Sequence, residues 1–119
     1  MQDHQNLRVW QESMRVVEET YRATMQFPPD ERFGLTAQMR RAAVSTPSNI
    51  AEGVGRGSDG EFARFLRIAH GSSCELETQA IAAKRLEFGE PAELDQLIAS
   101  SQRVRKQLNR LIAKVASSG

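Results

Sequence analysis

A single cysteine, Cys74, stands in 119 residues. No internal disulfide can close, so the fold must rest on a packed core, as suits a reducing compartment. No apolar run approaches the roughly 18 residues that a membrane span requires. The opening residues are polar rather than a charged-then-apolar leader. A cytoplasmic protein without membrane contact is the expectation. Charge of one sign is also lacking: 16 Lys and Arg meet 15 Asp and Glu, for a net charge of +1. Bulk charge therefore does not announce a nucleic-acid binder.

What is present is helical periodicity. A chain this long buries roughly two thirds of its unfolded surface, enough for one domain over residues 1–119. Leu7, Trp10, Met14, Val17 and Tyr21 recur at spacings of three and four, predicting a helix over about 7–26. Pro28 and Pro29 then stop it. A second helix, about 35–55, carries Leu35, Met39, Ala42, Ala43, Thr46 and Ile50 on one face. It runs into the glycine-rich residues 53–57, read as a helix exit. Ser58 with Glu61 forms a capping-box start for a third helix, about 59–87, with Phe62, Leu66, Ala69, Ser73, Leu76, Ala80 and Ala83 as its stripe. Pro91, Glu93 and Asp95 open a fourth, about 91–115, striped by Leu94, Leu97, Ser101, Val104, Leu108, Leu111 and Val115. No segment alternates as a strand would. Short connections predict an all-α, antiparallel up-down-up-down four-helix bundle.

The second helix contains Pro47, which lacks an N–H and collides with the carbonyl four residues back, at a cost of about 3 kcal/mol. A Pro-kinked helix is expected. Around it lies a polar set unusual for a bundle: Arg41, Ser45, Pro47, Asn49, Glu52 and, on the third helix, Glu77. Buried polar groups must be satisfied, so these are expected to form a structural network, with Asn49 or Ser48 meeting the carbonyls that Pro47 releases. Alanine and serine at many stripe positions predict a close approach of helices two and three. A second apolar set lies off the stripes (Val9, Val16, Val44, Val54, Ile68, Ile81, Ile98 and Ile112). A lone bundle has few places to bury these, which favours a homo-oligomer.

Basic residues form two candidate nucleic-acid contacts. Arg40, Arg41 and Arg56, with Arg64 and Arg67, present planar forks suited to phosphate. Glu52, Glu75 and Glu77 are interleaved with them, so pairing with acids is the favoured reading. Arg103, Arg105, Lys106, Arg110 and Lys114 form a run without an acid. A solvated face that complements the helix dipole is the plain reading of that run, and a nucleic-acid footprint the sharper one.

Catalysis finds no footing. No histidine is placed to activate a serine. Glu75 and Glu77, two apart, face different directions on a helix, and the Glu-x-x-His pattern of di-iron bundles is absent. His70, Cys74 and Glu77 fall at i, i+4 and i+7 and are zinc-capable types, but they make an incomplete set. Neither metal nor cofactor is expected. The glycines at 53, 55 and 57 do not form a phosphate loop, since no strand precedes them and no Gly-Lys-Ser/Thr follows.

Residues 7–11, 33–53, 61–72 and 75–79, above all the Arg-Arg-Ala-Ala-Val-Ser-Thr-Pro-Ser-Asn-Ile-Ala-Glu-Gly block at 40–53, resemble the four-helix-bundle proteins encoded in 23S ribosomal RNA intervening sequences. The resemblance spans about residues 7–115, the fourth helix matching in pattern only. It implies a small bacterial bundle assembled as a ring-shaped homopentamer. A related protein, the accessory variability determinant of diversity-generating retroelements, is basic, binds nucleic acid and partners a reverse transcriptase. This chain departs from that relative in its near-zero net charge and its three lysines. The expectation is a non-enzymatic, oligomeric adaptor with RNA, DNA or a partner protein as candidate partners. The alternative is a purely structural homo-oligomer that binds no nucleic acid.

Overall fold

The computed structural model describes residues 3–118. Four helices dominate: α1 (Arg8–Thr24), α2 (Leu35–Gly55), α3 (Asp59–Arg85) and α4 (Pro91–Ser118), with 3-10 turns at His4–Asn6 and Pro29–Glu31. Among the described residues there is no strand. Each helix packs on its sequence neighbours, and α1 also meets α4, giving a four-helix bundle about 45 Å long.

Cross-helix bonds fix the registers. Between α3 and α4, Lys84 meets Asp95, Glu77 meets Gln102 and Ser73 meets the Ser101 carbonyl. Between α1 and α4, Gln96 donates to Glu19 and Gln107 to Glu12. From Lys84–Asp95 to Glu77–Gln102, and from Glu19–Gln96 to Glu12–Gln107, partners descend one helix as they ascend the other. The Phe27 and Phe88 rings meet at 5.8 Å between centroids, tilted by 54°, so the α1–α2 and α3–α4 connections share one end, here the loop end. Leu7 lies at the other end, in one hollow with Gly57 and Ser58.

Local chemistry sets the helix limits. Gly34 has no side chain to cap α2, and Glu31 supplies the acceptor instead: Leu35 N–H donates to Glu31 Oε1 at 3.0 Å. Ser58 Oγ accepts from Glu61 N–H at 3.2 Å to start α3. The Glu61 carboxylate turns to Arg64 at 2.9 Å, so the reciprocal half of the capping box gives way to an ion pair. Helix α3 closes with Phe88 N–H on the Ala83 carbonyl and Glu87 N–H on that of Lys84. This Schellman pattern holds Glu87 at φ 61°, a position usually given to glycine.

Glycines 53 and 57 divide the work that a helix exit implies. Gly57, at φ 84°, is the stop. Gly53 is buried inside α2, where a Cβ would stand 2.9 Å from Phe65 Cβ and 3.3 Å from the Phe62 carbonyl oxygen. It sets how closely α2 approaches α3, as the small stripe residues led one to expect.

The stripes of α2, α3 and α4 point inward: Met39, Ile50, Leu66, Leu76, Leu94, Leu97 and Leu108 are almost fully enclosed. In α1 the inward face is Val9, Ser13, Val16, Thr20 and Ala23. The heavier stripe is displaced outward, with Trp10, Met14 and Val17 half-buried and Tyr21 exposed. Buried hydroxyls make this tolerable. Ser13 donates to the Trp10 carbonyl, Thr20 to that of Val16 and Thr24 to that of Thr20, so each is satisfied within the helix. Of the second apolar set, Val9, Val16 and Val54 are buried, Ile98 and Ile112 half-buried, and Val44, Ile68 and Ile81 exposed.

Candidate nucleic-acid interface

Helix α4 places Arg103, Lys106, Arg110 and Lys114 at i, i+3, i+7 and i+11. At 3.6 residues per turn these fall within about 80° of arc, and all four are exposed. Arg103 bonds only Ser100 Oγ within its own helix. Among the described residues, Lys106, Arg110 and Lys114 make no ion pair. Helix α1 adds two cations beside them. Arg8 shares a hollow with Arg110 and Lys114, and Arg15 shares another with Arg103. The acids of that side are engaged by amide donors: Glu12 receives Gln107, and Glu19 receives Gln96 at 3.2 Å. Arg8 reaches Glu12 only at 3.5 Å and stays largely in solvent.

The remaining candidate cations are elsewhere or occupied. Arg105 turns off the stripe. Its Nη2 donates to Glu77 Oε1 at 2.9 Å across the α3–α4 seam, where Gln102 holds the other carboxylate oxygen at 3.0 Å. Arg40 Nε donates to Thr24 Oγ1 at 2.9 Å, and its guanidinium lies 4.5 Å over the Tyr21 ring. Arg64 makes two bonds to Glu61 and lies over Phe65. That pair, led by its hydrogen bonds, raises the Arg64 pKa and lowers that of Glu61. Arg56 pairs with Glu52 at 3.0 Å. Arg41 is exposed and shares a hollow with Gln38, Ser45 and Glu75. Arg67 is exposed on α3. Arg40, Arg56 and Arg64 are thus taken up by partners outside α4. Arg8 and Arg15, absent from the sequence-based candidates, are the ones that flank the α4 stripe. Their seven-residue spacing puts them on one side of α1, a signal that counts only once α1 is known to lie against α4.

The polar set around Pro47 separates into parts. Ser45 Oγ meets Ser72 Oγ at 2.8 Å, tying α2 to α3. Asn49 Nδ2 donates to the Ser45 carbonyl at 2.8 Å and to its hydroxyl at 3.0 Å. Asn49 therefore serves the Ser45 link and not the Ala43 carbonyl, which lies four residues before Pro47. Glu52 points outward to Arg56, Glu77 belongs to the α3–α4 seam, and Arg41 lies on the surface. Pro47 itself is buried and borders an open groove of about 320 Å³ between α1 and α2, walled by Trp10, Met14, Val17, Val44 and Ala51.

His70 Nδ1 stands 3.8 Å from Cys74 Sγ, while Glu77 is committed to α4. Burial, and secondarily the Arg105 charge, hold the His70 pKa below the usual histidine range. Among the described residues, no three His, Cys, Asp or Glu side chains are grouped to hold a metal, and no helix is long and apolar enough to cross a membrane.

A crystal structure of a protein of unknown function from the S23 ribosomal protein family of Bacteroides thetaiotaomicron has the same fold. The TM-score is 0.78 at 21% identity, over 87% of this chain and 97% of that one. No protein of curated function matches the chain. The profile of the 23S rRNA-intervening sequence proteins matches residues 5–110. With nearly all of the helical bundle inside that match, the chain belongs to the 23S rRNA-intervening sequence protein family.

Proposed function

We infer that the protein is a non-enzymatic helical-bundle adaptor that associates with copies of itself and offers the basic side of α4 to nucleic-acid phosphates. The observation that carries this reading is the exposed, unpaired stripe of Arg103, Lys106, Arg110 and Lys114, widened by Arg8 and Arg15. A net charge of +1 hides this local excess. Repetition of the stripe around an assembly, a pentameric ring in the form that the family resemblance implies, multiplies its affinity for one polyanion. A mobility-shift assay with structured RNA and duplex DNA across a salt series tests this reading. Four phosphate contacts give a log–log slope of about −3 to −4 on duplex DNA. No shift at low salt would remove nucleic acid from the proposal.

Self-association draws on a separate observation. Val44, Ile68 and Ile81 are 41%, 41% and 37% exposed, and the α1–α2 groove is apolar and open. These favour lateral contacts between bundles, and they would stand alone in a purely structural oligomer. Molar mass by light scattering decides this part, and a monomer at micromolar concentration would overturn it.

A further inference from the structure

The two halves of the rod carry opposite charge. Residues 17–43 and 77–99, which form the loop half, hold nine acids and six bases. The rest of the chain holds ten bases and six acids. Shape differs as well. At the loop end Phe33 is 88% exposed, Met25 77% and Leu86 58%. Among the described residues these are the three most exposed large apolar side chains. Asp30, Glu87 and Glu90 are exposed on the same two connections, and the Arg32 guanidinium lies 5.4 Å over the Phe33 ring. The Phe27–Phe88 contact joins the two connections that carry this tip.

Near the opposite end, α1 and α4 leave a groove of about 320 Å³. Leu7, Val9 and Leu111 give it an apolar floor, and Arg8, Arg110 and Lys114 a cationic rim. An apolar tip where acids outnumber Arg32 and an apolar groove rimmed by bases are complementary in both polarity and charge. Both belong to the same chain.

We propose that the Phe33 tip of one copy docks in the Leu7–Val9–Leu111 groove of a second copy, with Asp30, Glu87 and Glu90 facing Arg8, Arg110 and Lys114. Tip and groove are different patches, so the contact is heterologous. It joins copies in succession instead of closing as a two-fold dimer. It is separate from the lateral contacts inferred above, since it uses neither Val44, Ile68 nor Ile81. It does use Arg110 and Lys114, so nucleic acid and the second copy compete for those cations.

Sedimentation velocity over a concentration series tests this at low and at high salt. The wild-type chain is expected to form species larger than its basic assembly as concentration rises. These shrink in 1 M salt, where the screening length is about 3 Å. Phe33→Ser, a change at a solvated side chain, should lose the larger species while keeping its helical spectrum and its mobility shift with RNA. Arg110→Glu should lose them too, and the double variant Arg110→Glu with Asp30→Arg should regain them. Wild-type mass that is independent of concentration and salt would overturn the proposal. So would Phe33→Ser and Arg110→Glu sedimenting like wild type. Retention of the RNA shift by Phe33→Ser keeps failure of this contact distinct from failure of the nucleic-acid reading.

Discussion

Arg105 donates to Glu77 at 2.9 Å across the α3–α4 seam, with both side chains mostly enclosed. The bond takes one cation out of the basic run and makes it a joint between helices. Arg105→Ala leaves the Glu77 carboxylate with Gln102 as its remaining cross-helix donor. A loss of about 1–2 kcal/mol in urea denaturation is expected, the lower part of the range for charged hydrogen bonds because the pair is not fully buried. The salt slope of nucleic-acid binding should not change. Arg110→Ala and Lys114→Ala should do the reverse, leaving stability within about 0.5 kcal/mol and reducing the slope by about one each.

Gly53 and Gly71 are both helical glycines, and their substitution should have opposite signs. A Cβ at Gly53 meets Phe65 Cβ and the Phe62 carbonyl oxygen, neither of which can move without shifting α3. Gly53→Ala is expected to cost about 1–3 kcal/mol through overpacking. At Gly71, exposed in the middle of α3, a Cβ meets nothing within 4 Å. Gly71→Ala should stabilise by up to about 1 kcal/mol from helix propensity alone. Chemical denaturation of the two variants checks both signs.

The turn after α3 offers a similar contrast. Glu87 occupies a left-handed position at φ 61°, a conformation that costs a side-chain-bearing residue roughly 1–2 kcal/mol. Glu87→Gly should therefore raise the melting temperature, less any contribution from its lost charge. Gly89, at φ 70°, would place a Cβ 2.9 Å from Phe27 Cε1. Gly89→Ala should lower the melting temperature through strain and through displacement of the Phe27 ring from Phe88.

Periodicity made three helices and their inward faces legible, because most enclosed apolar side chains on α2, α3 and α4 lie on the stripes, with Phe65 on α3 the large exception. In α1 the rule misled. Trp10, Met14, Val17 and Tyr21 form the stronger stripe, yet Ser13, Thr20 and Ala23 face inward. Hydroxyls that bond their own helix can be buried cheaply, and small residues let α1 seat closely on its neighbours. The candidate interface was legible only in part for a different reason. Spacing places Arg103, Lys106, Arg110 and Lys114 together, because that is a property of one helix. Whether Arg105 turns to Glu77, or Arg8 joins Arg110, depends on pairs of helices and on registers that spacing within one helix does not contain.

The histidine at that seam gives a pH-dependent signature. His70 lies beside Cys74 and feels the Arg105 charge, and burial is the main cause of its lowered pKa. The folded state thus binds a proton at His70 less readily than the unfolded chain, whose histidine titrates near ~6.5. Linkage fixes the sign: this group's contribution is fully present above the unfolded pKa and is lost as pH falls through the folded one. Stability should begin to decline as pH falls through about 6.5, above the range in which most carboxylates titrate. His70→Gln keeps a neutral polar side chain and should flatten that part of the profile. Arg105→Ala removes the lesser cause and should leave most of the slope, since desolvation remains. Melting temperatures for the three proteins in matched buffers decide the matter, and an unchanged slope in His70→Gln would show that another group carries the proton.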